Sequence, residues 1–166
     1  MLTDETVIKL LNEQIINEFE SSQIYLAMSG WFETTPYKGF AAKYRAAGLE
    51  EHGHGMKFFD FLCDRDGPIS IQAVPTPPGE YDSVLAAAKN ALAQERKVSG
   101  QIRRIYEAAE EAEDYETKEF LHFFLAEQVQ EEKEAKDFME YVESAEGDPS
   151  ALLTLDEQAG SESSSA

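Results

Sequence analysis

Acidic side chains interrupt the apolar residues at four separate places in this sequence. Stepping along the chain by three and four residues gives four stripes that are mostly apolar, as on the buried face of an amphipathic helix. No lysine or arginine lies on these stripes. Near the middle of each stripe stand side chains of metal-binding type: Glu18, then Glu51 and His54, then Glu95, and finally Gln128 and Glu131.

Carboxylates that meet in a protein core are costly unless a cation binds them. An isolated buried carboxylate costs several kcal/mol even after the surroundings relax. Two divalent cations would match the charge of four carboxylates and would also fill the lone pairs of their oxygens. Oxygen donors with one imidazole suit iron(II), manganese(II) or, less specifically, zinc. The residues therefore predict a two-metal site and leave the identity of the metal open.

Each of these residues, taken alone, has an ordinary explanation. A glutamate in the middle of a helix is usually solvated, and His54 alone would more often be a hydrogen-bonded histidine than a ligand. The Glu51-x-x-His54 spacing also arises by chance. The joint pattern favours metal binding, because all four stripes are interrupted near mid-helix, where facing residues of antiparallel helices lie at similar heights.

Long helices must position these side chains. The periodicity predicts helices over residues 4–33, 37–65, 82–112 and 115–145, a short helix over 150–158, and a frayed tail over 160–166. Asp66-Gly67-Pro68 and Gly147-Asp148-Pro149 are strong terminators of the second and fourth helices. There is little strand signal, so the predicted fold is all-α, in a single domain of residues 1–166.

The connections predict the topology of this bundle. Two of them are only a few residues long, which makes helices one and two, and helices three and four, antiparallel hairpins. The proline-rich residues 67–81 between helices two and three could cross the full length of a bundle. The prediction is therefore a four-helix bundle with one long crossover, in which helices two and three run parallel.

The charge of the chain excludes some classes of binding partner. The chain has 33 acidic and 14 basic residues, a formal charge of −19, which argues against nucleic acid and against an anionic membrane surface. Such a surplus permits a cation partner, although solubility alone would also explain it. No apolar run is long enough to cross a bilayer, no secretory signal pattern is present at the start, and Cys63 is a single cysteine. We therefore expect a cytoplasmic protein.

The same residues make the chain resemble the bacterial non-haem ferritins and, less closely, the animal H-chain ferritins, over nearly its whole length. The resemblance implies that Glu18 and His54 hold one iron, that Glu51 bridges, and that Glu95 and Glu131 hold a second. It also places Gln128 beside the site and Tyr25 on the near-site tyrosine of these proteins. The segments that carry the resemblance are Asn12 to Glu18, Glu50 to His54, Gln94 to Glu95, and Glu127 to Lys133.

The resemblance also implies a function. Ferritins oxidise Fe²⁺ with O₂ at the di-iron centre and deposit ferric mineral inside a homo-oligomeric shell, usually of twenty-four subunits. The short fifth helix is where ferritins make four-fold contacts. We accordingly expect ferroxidase activity, iron storage and detoxification, Fe²⁺ and O₂ as substrates, and a cage of this kind.

The chain differs from some ferritin-like proteins at residues that bind haem or a third iron. Bacterioferritins have a second Glu-x-x-His on the fourth helix and a haem-binding methionine where this chain has His52, so haem is not expected. Some bacterial ferritins bind a third iron with glutamates matching Glu50, Glu127, position 130 and Glu131. Here position 130 is Gln130, so a weak or absent third site is predicted.

Two other interpretations remain open at the level of sequence. The first is a di-iron oxidoreductase or peroxidase of rubrerythrin-like type without a storage role, although a single cysteine cannot supply the four-cysteine iron domain of rubrerythrins. The second is an acidic helical bundle that binds partners and no metal.

Overall fold

Five helices account for most of the chain in the computed structural model, which describes residues 1–163. They are α1 (Glu5–Phe32), α2 (Lys38–Asp64), α3 (Val84–Glu111), α4 (Tyr115–Ser144) and α5 (Pro149–Ser163). The all-α prediction is confirmed, since residues 1–163 contain no strand. The bounds of the four long helices lie within two residues of those predicted.

Side-chain caps define where three of the helices begin. The carboxylate of Asp4 accepts a hydrogen bond from the Val7 amide at 2.9 Å, and the Ser83 hydroxyl accepts one from the Ala86 amide at 3.0 Å. Asp114 accepts one from the Thr117 amide at 3.1 Å. Each cap satisfies an amide that the first helical turn leaves without a carbonyl partner.

The second helix is held by segments distant from it in sequence. The residue before it, Tyr37, makes no side-chain cap. Asp156 of α5 accepts the Phe40 amide proton instead, at 2.7 Å. At the other end, the Leu2 amide donates to the carbonyl of Arg65 at 2.9 Å. Both ends of α2 therefore depend on tertiary contacts.

Hydrogen bonds between the first two helices fix their directions. The hydroxyl of Ser22 donates to the carbonyl of Gly48 at 2.6 Å, and that of Ser29 donates to the carbonyl of Ala41 at 2.8 Å. Residue numbers rise along α1 as they fall along α2, so the pair is antiparallel.

The first helix also runs antiparallel to the third. Gln94 donates from its side-chain amide to Ser21 at 2.8 Å, and Lys97 pairs with Glu20 at 3.0 Å. Because α1 is antiparallel to both α2 and α3, those two helices run parallel. The segment between them must cross the length of the bundle, as predicted. The side chain of Asn12 fastens its start, binding the Pro68 carbonyl at 2.9 Å and the Ser70 amide at 2.6 Å.

Two apolar clusters fill the bundle on either side of its polar middle. One contains Leu11, Ile15 and Phe58, and the other contains Met28 and Phe32. All five side chains are fully buried. The predicted metal ligands lie between these clusters along α1 and α2, so apolar packing above and below holds them in place.

The fifth helix is longer than predicted. The prediction that residues from 160 onward form a frayed tail is wrong for 160–163, because α5 continues to Ser163; residues 164–166 lie outside the described part. Packing explains the difference. A β-carbon built on Gly160 would lie 3.1 Å from the Cα of Gly39, and Ala159 is buried. The two glycines let α5 approach α2 closely, and that contact supports the added turn.

None of the helices in residues 1–163 combines the length and apolar character that crossing a membrane requires.

The close contact between α2 and α5 can be tested with Gly39→Ala. Its β-carbon would lie 1.7 Å from the carbonyl oxygen of Asp156, so α5 must move and the cap on Phe40 is lost. We expect a loss of roughly 2 kcal/mol or more of stability, read by thermal unfolding, and faster proteolysis within α5. Gly100→Ala is the control, because nothing lies within 4 Å of its added carbon. Equal stability of the two variants would contradict the packing.

Candidate metal centre

Helices α1 and α2 bring three ligand groups together in the core. Glu18, Glu51 and His54 each offer one ligand atom, and these atoms all lie within 4.8 Å of one another. Their exposed fractions are only 1%, 3% and 4%. Glu51 and His54 are three residues apart and so share a helix face, with Nδ1 of His54 lying 3.0 Å from Oε2 of Glu51. The structure thus brings together the three side chains predicted for the first metal position.

Helix α3 supplies Glu95, whose two oxygens are held by different neighbours. The hydroxyl of Tyr25 donates to Oε1 in a short hydrogen bond. The side-chain amide of Gln128 donates to Oε2 at 3.2 Å and also lies 3.3 Å from the Ser99 hydroxyl. Tyr25 and Gln128 therefore orient the carboxylate, which fits the near-site positions predicted for them.

The second predicted metal position is more open than the first. Glu95 and the half-buried Glu131 line one small cavity. The negative charges of Glu95 and Glu131 both repel that of Glu51. Among residues 1–163, however, these three carboxylates are not gathered within 4.8 Å as the first trio is. The structure therefore places Glu95 and Glu131 near the first cluster, but their ligand atoms do not converge on one metal position as those of the first cluster do.

Burial dominates the protonation of these acids. It raises the pKa of Glu51 to about 9 with added repulsion from Glu95, and that of Glu131 to about 8, again with repulsion from Glu95. Burial also lifts the pKa of Glu18 well above its usual value. For Glu95 burial raises the pKa, although the hydrogen bond from Tyr25 opposes it. A bound cation would take the place of these protons.

A buried amide that the sequence reasoning missed holds Glu18. The Nε2 atom of Gln14 donates to Oε1 of Glu18 at 2.8 Å, and Asn17 donates to Oε1 of Gln14 at 3.1 Å. Within residues 1–163 no amide or hydroxyl donates to Oε2 of Glu18, so a metal can bind that oxygen when it displaces the proton shared with the Glu51 carboxyl. The available signal was a polar residue four positions before Glu18, on the same face of α1.

A second group of possible ligands lies toward the surface. Ligand atoms of the exposed Glu50, of His54 and of the half-buried Glu127 lie within 4.8 Å of one another. Two residues of the predicted third site are therefore close together. Gln130 is exposed and donates instead to Oε1 of Glu134 in a short hydrogen bond, so its side chain is engaged along α4.

Comparison with known proteins identifies the family. The family described as Ferritin-like domain matches residues 8–145 of this chain. The chain belongs to the ferritin family. This ferritin is 30% identical over 157 residues to the bacterial non-heme ferritin of Staphylococcus haemolyticus, covering 95% of each chain. It is 33% identical to that of Staphylococcus saprophyticus, covering 95% of this chain and 93% of the relative.

Solved structures agree with this assignment. The open-pore ferritin of the hyperthermophilic archaeon Archaeoglobus fulgidus superposes with a TM-score of 0.94 at 37% identity, covering 96% of this chain and 98% of that one. A closed form of the same ferritin, engineered by mutagenesis, gives 0.93 at 37% identity, over 96% of this chain and 97% of that one. The predicted resemblance and the ferritin fold are confirmed, and family membership supports iron binding and iron storage.

The raised pKa of Glu51 gives a prediction for the metal-free protein. Because folding raises this pKa to about 9, the folded state holds a proton that the unfolded state releases above pH about 4.5. Stability falls as pH rises between these values. Glu51→Gln removes the linkage, so the metal-free variant should be more stable than wild type at pH 8 by on the order of 1–3 kcal/mol.

The same comparison at pH 5 should show a much smaller difference, because pH 5 lies only just above the unfolded-state pKa of about 4.5 and little of the linkage has yet accumulated. Denaturant unfolding at both pH values measures it. Adding Zn²⁺ should reverse the order at pH 8, since the variant has lost an anionic ligand. A difference that does not change with pH would contradict the assignment.

Proposed function

We propose that this ferritin is a ferroxidase that oxidises Fe²⁺ with O₂ at a di-iron centre within each subunit. The observation that carries the proposal is the buried cluster of Glu18, Glu51 and His54, whose ligand atoms lie within 4.8 Å of one another. Glu95 and Glu131 line a cavity that extends the site. A metal-free acidic bundle would have no use for carboxylates in its core.

In this proposal the two substrate ions occupy unequal positions. Glu18 and His54 bind the first ion, Glu51 lies between the two, and Glu95 and Glu131 bind the second. Tyr25 and Gln128 keep Glu95 oriented, and Gln14 does the same for Glu18. Orientation from outside the ligand set is a common feature of metal sites, where it improves affinity and reactivity.

Charge supplies the driving force for oxidation. Anionic oxygen ligands bind the ferric state more strongly than the ferrous state, so they lower the reduction potential of the bound iron. Two ferrous ions release one electron each. One O₂ accepts both electrons and two protons and leaves as hydrogen peroxide, while complete reduction to water would take four electrons. The chain's own part is to hold two ions adjacent and accessible to O₂.

Storage requires that the ferric product be retained. We propose that subunits of this ferritin form a homo-oligomeric cage, of the twenty-four-subunit kind, and deposit ferric mineral within it in the cytoplasm. The cage-forming role is supported by the close likeness to the open-pore ferritin and by the presence of α5. The formal charge of −19 per chain would concentrate cations near the shell.

Stopped-flow absorbance after mixing metal-free protein with two ferrous ions per subunit in air tests the oxidation. Wild type should show a fast ferric signal. Glu51→Ala removes a ligand of both ions and should abolish it, whereas Glu95→Ala should still bind one ion per subunit yet lose fast oxidation. The exposed Glu13 provides the control Glu13→Ala, which should match wild type.

Size-exclusion chromatography with light scattering extends the same test to storage. After iron loading, the iron should elute together with a large protein particle. Wild-type oxidation rates in both ligand variants would remove the di-iron assignment. A full-length chain that oxidises iron yet stays monomeric or dimeric would favour a di-iron oxidoreductase without a storage role.

The third iron position gives a separate prediction. A carboxamide brings no negative charge, so it competes less well than a carboxylate with water for a hard cation. Anaerobic titration of wild type with Fe²⁺, in which no mineral forms, should therefore saturate near two ions per subunit, and Gln130→Glu should add a third. Crystals soaked with iron that show a fully occupied third ion on Gln130 would refute this, as would an unchanged stoichiometry in the variant.

A further inference from the structure

Two cavities meet at one lysine beside the second metal position. The inner cavity, of about 50 Å³, is bordered by Glu95 and Glu131. The outer one, of about 430 Å³, is a groove between α4 and α5 bordered by Asp137 and Glu162. Lys43, Glu134 and Phe138 line both cavities. The two spaces are therefore adjacent, and this shared wall separates the groove from the metal centre.

Carboxylates mark the way from the groove to the centre. Asp137 and Glu162 lie in the outer groove, Glu134 on the shared wall, and Glu131 and Glu95 on the inner cavity. A cleft with one sign of charge and low-dielectric walls concentrates ions of the opposite sign and speeds their arrival. Such a passage favours divalent cations, and the inner cavity has room for a single ion with little water.

Within residues 1–163, Lys43 is the one basic residue that borders either cavity. Its ammonium nitrogen lies over the Phe138 ring, 5.0 Å from the centroid, rather than in an ion pair with Glu134. Such a contact is weak at a half-exposed site, and the lysine side chain is flexible. The ammonium can therefore leave the wall at little cost, while in place it repels an incoming cation.

The buried hydroxyl of Tyr44 indicates that the inner cavity accommodates a polar molecule or ion. Tyr44 borders this cavity and is only 3% exposed. Its hydroxyl has no hydrogen-bond partner within residues 1–163, and a buried donor without an acceptor costs free energy. A water molecule that accompanies a cation through the cavity would provide that acceptor.

We propose that the two cavities form the passage by which Fe²⁺ reaches the second metal position, and that Lys43 is its gate. The proposal rests on the assignment of Glu95 and Glu131 to that position. The first position has a different approach, because its ligand His54 also belongs to the outer group with Glu50 and Glu127. Each ion therefore has its own route, and Lys43 stands on the route to the second.

The chain provides a matched control for the gate. Lys57 is also on α2 and also lies over an aromatic ring of α4, with its nitrogen 3.8 Å from the centroid of Phe123. It borders neither of the two cavities. Lys43→Met and Lys57→Met remove the same charge from the same helix, and only the first opens the passage.

Anaerobic stopped-flow binding of Co²⁺, followed by its visible absorption, tests the proposal without any oxidation. Wild-type protein should bind two cobalt ions per subunit in two phases. Lys43→Met should accelerate one phase by several-fold to about tenfold, and Lys57→Met should leave that phase unchanged. Glu134→Gln should slow the same phase, and so should Ala135→Leu, which fills the inner cavity without altering charge. All variants should keep two ions at equilibrium.

Equal kinetics in Lys43→Met and Lys57→Met would overturn the gate, as would equal acceleration of both phases, which indicates a general charge effect. An unchanged rate in Ala135→Leu would overturn the passage even if the lysine variant misfolds. Protein that shows these cobalt kinetics yet fails to oxidise Fe²⁺ would refute the ferroxidase proposal and leave the passage supported. Binding of one cobalt per subunit would refute the second position itself and the passage with it.

Discussion

The burial of several carboxylates in one small volume is the constraint on which the rest of this ferritin depends. Glu18, Glu51 and Glu95 are each at most 3% exposed, and no lysine or arginine lies with them on the core-facing stripes. Burial raises the pKa of all three carboxyl groups, and repulsion from a neighbouring carboxylate of the site adds to this for Glu18 and Glu51. In the absence of metal, protons therefore reduce the repulsion. The site is thus kept in an unfavourable state that a cation relieves, and part of the binding free energy comes from that relief.

Buried carboxylates lower the stability of the fold, and packing elsewhere in the bundle must compensate for that loss. Apolar clusters lie on both sides of the site along the helices, so the ligands sit in the middle of long packed elements rather than at a frayed end. Long helices in turn require a connection of matching length, because helices two and three run parallel. The polar middle, the apolar ends and the crossover segment are consequences of one requirement, which is to bury charge at a fixed geometry.

Much of this could be predicted from the sequence because the signals are local and periodic. The interruptions at Glu18, Glu51 and His54 are visible in apolar stripes, and helix bounds follow from caps and terminators. The features that could not be predicted depend on tertiary contacts. Gln14 matters only because its rotamer reaches Glu18, and α5 extends to Ser163 only because Gly160 meets Gly39. The junction at Lys43 exists only where packing leaves two cavities side by side, which no spacing rule reveals.

The dependence of α2 on Leu2 and Asp156 has a consequence for the order in which the molecule forms during synthesis. Chains emerge from the ribosome in order, so the residues of α2 are exposed well before those of α5. The first turn of α2 then lacks the carboxylate that accepts the Phe40 amide in the finished fold. The first turn of α2 therefore gains its cap only after the residues of α5 have been made, and until then this end of the helix that carries Glu51 and His54 has a greater tendency to fray.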